Sequence, residues 1–438
     1  MSSGTVQTHG AYEMAKEFKL ALGAAFFLCV LLTQSISSCL KNNNVTVKHG
    51  RSSSTRMRMS MIYAHLKVIN RPAIRSIQSP DGDVIDCILR HQQPGLDHPL
   101  LRNHKIQDSP TRPSGIQGRV NRSLELGPGH AFQTWHLTGI ACPHGTIPVR
   151  RATVDDLLRV APPELYGRKS KKSKLWVSRK PSVTDGNGHE HATAYVKGGE
   201  YYGAKACMNV WKPHIETPGE FSLSQMWVLS GSFDGSDLNS IEAGWQVSPE
   251  LYGDNMPRLF TYWTSDSYEE TGCYNLLCSG FIQTNEKIAI GAAINPVSSF
   301  NGPQYDITIL VWKDPKEGNW WMEFGDGTLV GYWPSNLFTH LSHHATMVEW
   351  GGEVVNTQQD GDHTSTQMGS GHFANEGFTK ASYFRNLQVV DEYNSLQAID
   401  SLSTLAEDTN CYNIQSSVNA DWGDHFYFGG PGQNSKCP

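Results

Sequence analysis

Short strand-forming runs separated by turn residues fill the chain from about residue 188 to its end. Examples are residues 225–229, 258–263, 287–290, 305–312 and 320–324. Several runs alternate polar with apolar or aromatic residues, the period-two pattern of a strand with one buried face. No long helical periodicity competes with this pattern. Over about 250 residues, such spacing indicates an all-β fold, either an antiparallel β-sandwich or a barrel.

Charge is divided unevenly between two parts of the chain. Residues 39–182 hold 24 Lys and Arg against 9 Asp and Glu, whereas residues 183–438 hold 10 against 31, within a net charge of −6. Opposite potentials attract at neutral pH, and protonation of carboxylates below about pH 4–5 weakens that attraction. We therefore expect residues 39–182 to form a basic prosegment that covers an acidic domain and is released in acid.

The first 38 residues have the layout of a signal peptide. Lys16 and Lys19 precede an uncharged apolar run over residues 20–32, and small polar residues follow. This run is shorter than the roughly 20 residues that a membrane span needs. The sequence therefore predicts a secreted, extracellular protein without a membrane anchor after removal of residues 1–38.

Cysteines and glycosylation motifs agree with export. In an oxidising compartment most of the nine cysteines should pair. Spacing favours two local pairs, Cys273 with Cys278 and Cys411 with Cys437, and Cys87 can pair with Cys142 in the basic segment. The states of Cys39 and Cys207 stay open. The glycosylation motifs begin at Asn44 and Asn121, both in the basic segment.

The basic segment contains signals of its own. Residues 70–147 mix short apolar runs with turns, and Thr153 has the features of a helix N-cap. Together they predict a small mixed prodomain. The densest basic run, residues 168–174, is typical of a solvated loop and of a site of proteolytic cleavage. Nucleic-acid binding is the usual rival for such a run, but the export signal argues against a nucleic-acid partner.

Common catalytic and metal-binding motifs are missing from the sequence. There is no Gly-x-Ser-x-Gly elbow, no glycine-rich phosphate loop and no His-Glu-x-x-His pattern. His189 and His191 could place two imidazoles on one strand face, although an exposed pair at a strand start is the commoner arrangement. From the residues alone we expect no metal site.

Two glutamates are the stronger candidates for chemistry. Glu242 and Glu353 each lie among apolar strand residues beside glycine and tryptophan. Burial in a cleft raises the pKa of a carboxyl group, and two neighbouring carboxyls push each other's pKa values apart. One can then donate a proton as general acid while the other, ionised, activates water. The competing interpretation is that both are solvated strand residues.

Motifs around these glutamates resemble the neprosin family of glutamic endopeptidases. Seven occur in one order, at residues 241–245, 255–260, 262–264, 272–275, 331–334, 350–354 and 366–371. The basic segment also resembles the activation peptide of that family, through residues 86–87, 98–101, 104–105 and 142–148.

This resemblance implies an antiparallel β-sandwich with a long cleft over residues 183–438, preceded by the smaller prosegment. It implies Glu242 and Glu353 as the catalytic pair, the disulfides Cys273–Cys278 and Cys411–Cys437, and no cofactor. It further implies a proenzyme that cuts protein or peptide substrates at acidic pH, with a preference for cleavage after proline. The prosegment would act as intramolecular inhibitor, and the apoplast or cell wall would be its place of action.

Aromatic residues near the motifs are candidates for a substrate groove, because aromatic faces suit proline rings. The five candidates are Trp245, Tyr262, Trp263, Trp333 and Trp350. Core packing is the alternative for each of them.

A function of another class is also compatible with the sequence. Aromatic-rich β-sandwiches often bind glycans, so the chain could be a non-catalytic cell-wall or carbohydrate-binding protein. Two glutamates could also serve glycoside hydrolysis. Glu242 and Glu353 facing each other across an open groove would favour an enzyme, whereas glutamates that point into different environments would favour a binding module.

Overall fold

A computed structural model describes residues 50–115, 128–160, 162–169, 188–232, 236–325, 327–358 and 362–438. The predicted signal peptide, both glycosylation motifs, Cys39 and most of the basic run lie outside these residues. The chain forms two units, Met1–Met59 and Ser60–Pro438. Described residues of the first unit are helical, and every site discussed below belongs to the second. Among the described helices, none is long and apolar enough to cross a membrane.

The described residues form three α-helices and twenty-two strands. The helices are α1 (Gly50–Ile69), α2 (Val154–Arg159) and α3 (Pro249–Tyr252). The strands are β1 (Ala73–Gln78), β2 (Val84–Leu89), β3 (Ser114–Gly115), β4 (Gly129–His130), β5 (Phe132–Gln133), β6 (Thr146–Arg150), β7 (His189–Tyr201), β8 (Gly203–Asn209), β9 (Ser222–Ser230), β10 (Asn239–Val247), β11 (Arg258–Thr264), β12 (Ile282–Gln283), β13 (Ile294–Asn295), β14 (Tyr305–Lys313), β15 (Trp320–Phe324), β16 (Thr328–Trp333), β17 (Ala345–Val355), β18 (Ser382–Val390), β19 (Ser395–Gln397), β20 (Ser403–Ala406), β21 (Asn413–Asn419) and β22 (Gly423–Gly429).

Two large sheets dominate the second unit. The six-stranded sheet has the order β11-β10-β9-β17-β7-β20, and every pairing in it is antiparallel. The larger sheet follows β12-β16-β15-β14-β8-β18-β19-β3, with β22 on β18, β21 on β22 and β4 on β14. Only the short prosegment strands β3 and β4 pair in parallel with their neighbours in this sheet. The predicted all-β, antiparallel class is confirmed.

A continuous hydrophobic core joins the two sheets. The six-stranded sheet contributes alternate residues such as Met226, Val228 and Ile241, and the larger sheet contributes residues such as Ile309 and Val311. Since side chains alternate across a strand, residues at the intervening positions of the six-stranded sheet lie on its other face. We call this second face the outer face.

The outer face is buried as well. Every residue of β9, β10 and β11 is buried, which the packing of two sheets alone would not produce. Prosegment residues lie against this face: Asp83 contacts Arg258 of β11, and Lys169 contacts Glu242 of β10. The prosegment therefore acts as a third layer over the six-stranded sheet.

The prosegment has its own sheet, in the order β1-β2-β6. As predicted, Thr153 caps α2: its hydroxyl accepts a hydrogen bond from the Asp156 amide, and the Asp156 carboxylate accepts one from the Thr153 amide. Residues 116–127 and 170–187 fall outside the described part, so the mixed prodomain as a whole stays a prediction.

Three disulfides are formed in the described residues. They join Cys87 to Cys142, Cys273 to Cys278 and Cys411 to Cys437. The last two are the pairs that the sequence favoured, and the first is a pairing that the sequence left open. Cys207 is a buried free thiol.

The strand expected at residues 287–290 was wrong. The segment is irregular, with Lys287 exposed and residues 288–290 buried, and glutamine side chains take the place of a neighbouring strand. Gln133 of the prosegment donates to the Ala289 carbonyl over 2.6 Å and accepts from the Ala289 amide over 2.8 Å. Gln93 makes the same two bonds to the backbone of Gln283, at 3.0 and 2.7 Å. Apolar residues can therefore be buried here without a strand partner.

A buried ion pair anchors the prosegment. Arg258 is fully buried, and its Nη1 lies 2.5 Å from Asp83 Oδ2. Arg150 contacts the other oxygen of Asp83 at 2.9 Å, and Asp254 also contacts Arg258.

Replacing Asp83 by alanine should destabilise the precursor strongly, because it leaves two buried guanidinium groups without their shared carboxylate. We expect a loss of about 3 kcal/mol in the free energy of unfolding, the lower end for a broken buried pair, since Asp254 remains. Urea unfolding of the full-length precursor measures it. Asp108 pairs with Arg90 at the surface, so the control Asp108→Ala should cost less than about 1 kcal/mol. Equal losses would contradict the anchoring role.

Candidate active site

Glu242 and Glu353 lie on the same face of the six-stranded sheet. On β9, Glu242 of β10 is opposite Trp227, and Glu353 of β17 is opposite Leu223. Residues 223, 225 and 227 of one strand point to the same side. Both glutamates are therefore on the outer face, on either side of β9, and both are fully buried.

Uncharged donors surround one oxygen of Glu242. Its Oε1 accepts hydrogen bonds from the Tyr268 hydroxyl at 2.7 Å and the Ser240 hydroxyl at 3.0 Å. Its Oε2 is contacted by Gln225 at 3.4 Å and by the Lys169 ammonium at 2.9 Å. Lys169 is thus the one cation within ion-pair distance of Glu242 among the described residues.

Histidines surround Glu353. His189 Nδ1 lies 2.5 Å from Glu353 Oε1, and His191 Nε2 lies 4.0 Å from the same oxygen. Burial raises the pKa of Glu353, but the hydrogen bond and charge of His189, with the charges of His191 and Lys169, outweigh it and lower the pKa to about 2. Within the described structure, Glu353 Oε2 is buried and accepts no hydrogen bond.

The end of the described prosegment enters the site as two successive turns: Pro163–Leu165 is one turn of 3-10 helix, and the Arg168 amide then donates to the Leu165 carbonyl. The Gly167 carbonyl accepts a hydrogen bond from the Tyr274 amide at 2.7 Å, and Tyr166 donates from its hydroxyl to the Leu251 carbonyl at 3.2 Å. Two residues after Gly167, the Lys169 ammonium reaches Glu242. This segment therefore lies against the outer face beside Glu242.

Two tyrosine rings hold the Lys169 ammonium. It lies 4.7 Å from the ring centre of Tyr262 and 4.4 Å from that of Tyr268, within the range of cation–π attraction. Burial raises the pKa of Tyr268 well above its ordinary value, with Glu242 and Glu353 adding to the rise. Tyr268 therefore stays protonated and donates to Glu242.

Two comparisons with known families cover both parts of the chain. Residues 76–195 match the neprosin activation peptide, and residues 218–431 match neprosin. The chain belongs to the neprosin family. An activation peptide followed by the neprosin domain is the layout of a glutamic peptidase proenzyme. Glu242 and Glu353 fall in the neprosin match, and Lys169, His189 and His191 fall in the activation-peptide match.

Solved structures give weaker likenesses. Two are crystal structures of scytalido-glutamic peptidase, one with a peptide-based transition state analog and one with a transition state analog inhibitor. They share 12% identity with the neprosin-family chain, cover 55% of it and 98% and 97% of their own chains, and have TM-scores of 0.32 and 0.30. The third is SCP-B, a member of the eqolisin family, in a complex with the tripeptide Ala-Ile-His. It shares 9% identity with this chain, covers 55% of it and 96% of its own chain, and has a TM-score of 0.29. At these TM-scores, the functional argument depends on the family match and on the site itself.

The structure places the five groove candidates in two different environments. Trp245, Trp263, Trp333 and Trp350 belong to the core between the sheets, so packing explains them. Tyr262 is opposite Glu242 in the pairing of β10 with β11 and lies on the outer face. Of the five, it alone is beside the candidate site of this neprosin domain.

Sequence reasoning missed several residues of the site. Lys169 lies in the run predicted to be a solvated loop, and His189 in the pair expected to be exposed, yet both side chains are buried against a glutamate. Glu349 was not singled out, although it is buried on the outer face opposite Trp227, in the same row as Glu242. A usable signal was the spacing of Glu349 and Glu353, which places both on one side of β17.

Metal-ligating side chains come together once in the described residues, at His363, Cys411 and Cys437. Both cysteines form a disulfide, so their sulfurs cannot act as thiolate ligands. Around Glu242 and Glu353 the available chemistry is proton transfer by carboxyl groups.

Ionised Glu353 should contribute to stability in a pH-dependent way. Its pKa of about 2 in the folded protein lies below its ordinary 4.5, so this contribution is present above pH 4.5 and is lost as pH falls through 2. The shift corresponds to about 3 kcal/mol. Thermal unfolding of the precursor across this range should show a decline that Glu353→Gln makes shallower, because other carboxyl groups with lowered pKa values, such as Asp83 and Asp266, still contribute to it. Glu317 is exposed, and the control Glu317→Gln should leave the decline in place.

Proposed function

We propose that this chain is the secreted proenzyme of a glutamic endopeptidase that acts on protein or peptide substrates at acidic pH, with Glu242 and Glu353 as catalytic residues. The observation that carries the proposal is the pair of buried family-motif glutamates on one sheet face, with a lysine of the activation peptide bound to one of them. An ion pair between the activation peptide and a catalytic residue is what we expect of an inhibited precursor. Glutamates in unrelated surroundings would have favoured a binding module.

The surroundings of the two carboxyl groups support different roles for them. Glu353 is beside two histidines, and its Oε2 accepts no hydrogen bond from a described residue, so it is suited to take a proton from water as general base. Glu242 loses its cation when Lys169 leaves. It is then held by the uncharged hydroxyls of Tyr268 and Ser240, an arrangement suited to a general acid.

In the proposed reaction, one water molecule attacks the carbonyl carbon of the scissile peptide bond. Glu353 takes a proton from this water, and Glu242 donates its proton to the carbonyl oxygen, giving a tetrahedral intermediate. Collapse breaks the C–N bond as the nitrogen receives a proton from Glu353, and the hydroxyl proton of the intermediate returns to Glu242. No acyl-enzyme forms, and both glutamates end in their starting states.

Lys169 would keep the precursor inactive in two ways. It occupies the front of Glu242, and it favours the ionised form of a residue that must be protonated to act. Protonation of Glu242 in acid would remove the ion pair, in line with the charge division in the sequence. Cleavage within residues 170–187, between the last described prosegment residue and β7, would then separate residues 39–182 from the mature domain, residues 183–438.

Cleavage after proline is supported by the aromatic surface beside Glu242. Tyr262 and Tyr268 hold the Lys169 ammonium between their rings, and after its departure these rings could pack against a pyrrolidine ring. The glycan-binding alternative loses support, because four of its five aromatic candidates are in the core. Secretion to the apoplast or cell wall is supported by three disulfides.

Peptide cleavage after incubation at about pH 3–5 tests the catalytic proposal. We expect the wild type to cut, and Glu242→Gln and Glu353→Gln each to lose at least about 100-fold in kcat/KM, as expected on removal of a general acid or base. Mapping the cut sites by mass spectrometry tests the preference for proline.

Glu349→Gln is the matched comparison, because Glu349 is a third buried carboxyl on the same face. It should retain activity if it folds. Loss of activity in Glu349→Gln together with full activity in Glu353→Gln would replace Glu353 by Glu349 in the pair. An inert, correctly processed wild type would leave the binding-module function as the better one.

Substitution of Lys169 tests the inhibition. Lys169→Met keeps most of the side-chain volume and removes the charge, so the unprocessed precursor should cleave peptides at a higher pH than the wild-type precursor does. An uncleavable variant of the 170–187 segment isolates this effect from processing. Lys105 is exposed in the same prosegment, and Lys105→Met should behave as wild type. A Lys169→Met precursor as inactive as wild type at every pH would contradict the role of the ion pair.

A further inference from the structure

We propose that His189 is a positioning residue that holds Glu353 ionised and correctly oriented as the general base, and that it therefore belongs to the mature enzyme. This inference rests on the proposed function and extends it to a residue at the start of β7.

The contact between His189 and Glu353 is close and dry. Nδ1 and Oε1 are 2.5 Å apart, and the side chains are 5% and 0% exposed. The Phe221 ring lies against the imidazole, with 5.8 Å between ring centres. A carboxylate that accepts a hydrogen bond through Oε1 has its orientation fixed and keeps Oε2 for water. The arrangement serves a base better than it serves an acid, since an acid would need a proton on one of these oxygens.

His189 is the nearest of the charged groups around Glu353. His191 is farther from it, at 4.0 Å, and is shared with Glu407, whose carboxylate lies 3.0 Å from His191 Nδ1. The other titratable groups that act on or near this site are Lys169, Glu242, Tyr268 and Tyr274. Lys169 leaves with the prosegment and the tyrosines are uncharged, so among the described residues the two histidines are the basic groups that remain beside Glu353 in the mature enzyme.

The position of β7 limits where activation can cut the chain. The activation-peptide match extends to residue 195, but β7 is an internal strand, paired with β17 on one side and β20 on the other. Its removal would expose two strand edges and strip His189 and His191 from Glu353. The activating cleavage therefore falls before His189.

The pH profile of kcat/KM in the acid-activated enzyme tests the inference. Activity falls on the acid side as the base becomes protonated. In His189→Leu we expect this acid limb to move upward by about 1–3 pH units, the range for loss of an adjacent opposite charge. His189→Asn keeps a neutral donor near the position of Nδ1 and should show a smaller shift. His363 pairs with Glu190 away from both glutamates, and the control His363→Asn should leave the limb in place.

A second measurement needs no catalysis. Thermal unfolding of the full-length precursor between about pH 2 and pH 6 measures how much of the acid-dependent stability depends on Glu353. We expect this part to be smaller in His189→Leu and His189→Asn than in the wild type. Loss of activity with an unmoved acid limb and an unchanged stability profile would mean that His189 is only structural. That result would overturn the inference.

The outcomes separate the two proposals. A wild type without glutamate-dependent cleavage refutes the proposed function, while the stability profile still decides whether His189 controls Glu353. An active wild type whose acid limb is the same in all His189 variants refutes this inference alone. N-terminal sequencing of the active enzyme should place its first residue before His189, and full activity from a chain that starts after His191 would also overturn it.

Discussion

The cost of burying charge governs the arrangement of this protein. The outer face of the six-stranded sheet carries Glu242, Glu353 and Arg258, all removed from water. A charged side chain without a partner in such a place costs several kcal/mol. Lys169 and Asp83 of the prosegment supply the opposite charges for Glu242 and Arg258, whereas Glu353 is served from within its own sheet by His189. The partners of Glu242 and Arg258 therefore belong to the precursor, whereas the partner of Glu353 belongs to the sheet itself.

Much of the fold could be predicted from the sequence, because period-two patterns report the burial of one strand face. Strands β9, β11, β14 and β15 lie where alternation of polar and apolar residues placed them. The run at residues 287–290 did not follow the pattern, since Gln133 supplies its hydrogen bonds from more than a hundred residues away. Side-chain partners that are distant in sequence leave no periodic signal.

Of the candidate site, only the two glutamates could be predicted from the sequence. Glu242 and Glu353 stand in motifs that point to a family, whereas Lys169 lies in a run of basic residues with nothing to distinguish it from its neighbours. The aromatic candidates show the opposite limit. Trp245 and Tyr262 are both large aromatic residues near a motif. Tyr262 is directly opposite Glu242 and shares its outer face, whereas Trp245 is three residues after Glu242 on the same strand and therefore faces the core.

The glutamine contacts of the prosegment bear on how long the mature domain can last. Gln93 and Gln133 together satisfy four backbone groups of the domain, and both would depart with the prosegment in the proposed activation. Each backbone group left buried without a partner costs about 1–3 kcal/mol unless water reaches it. The released domain thus lies higher in free energy than it did within the precursor, and its lifetime depends on the height of the barrier to unfolding. Once unfolded, it lacks the template on which these turns were built.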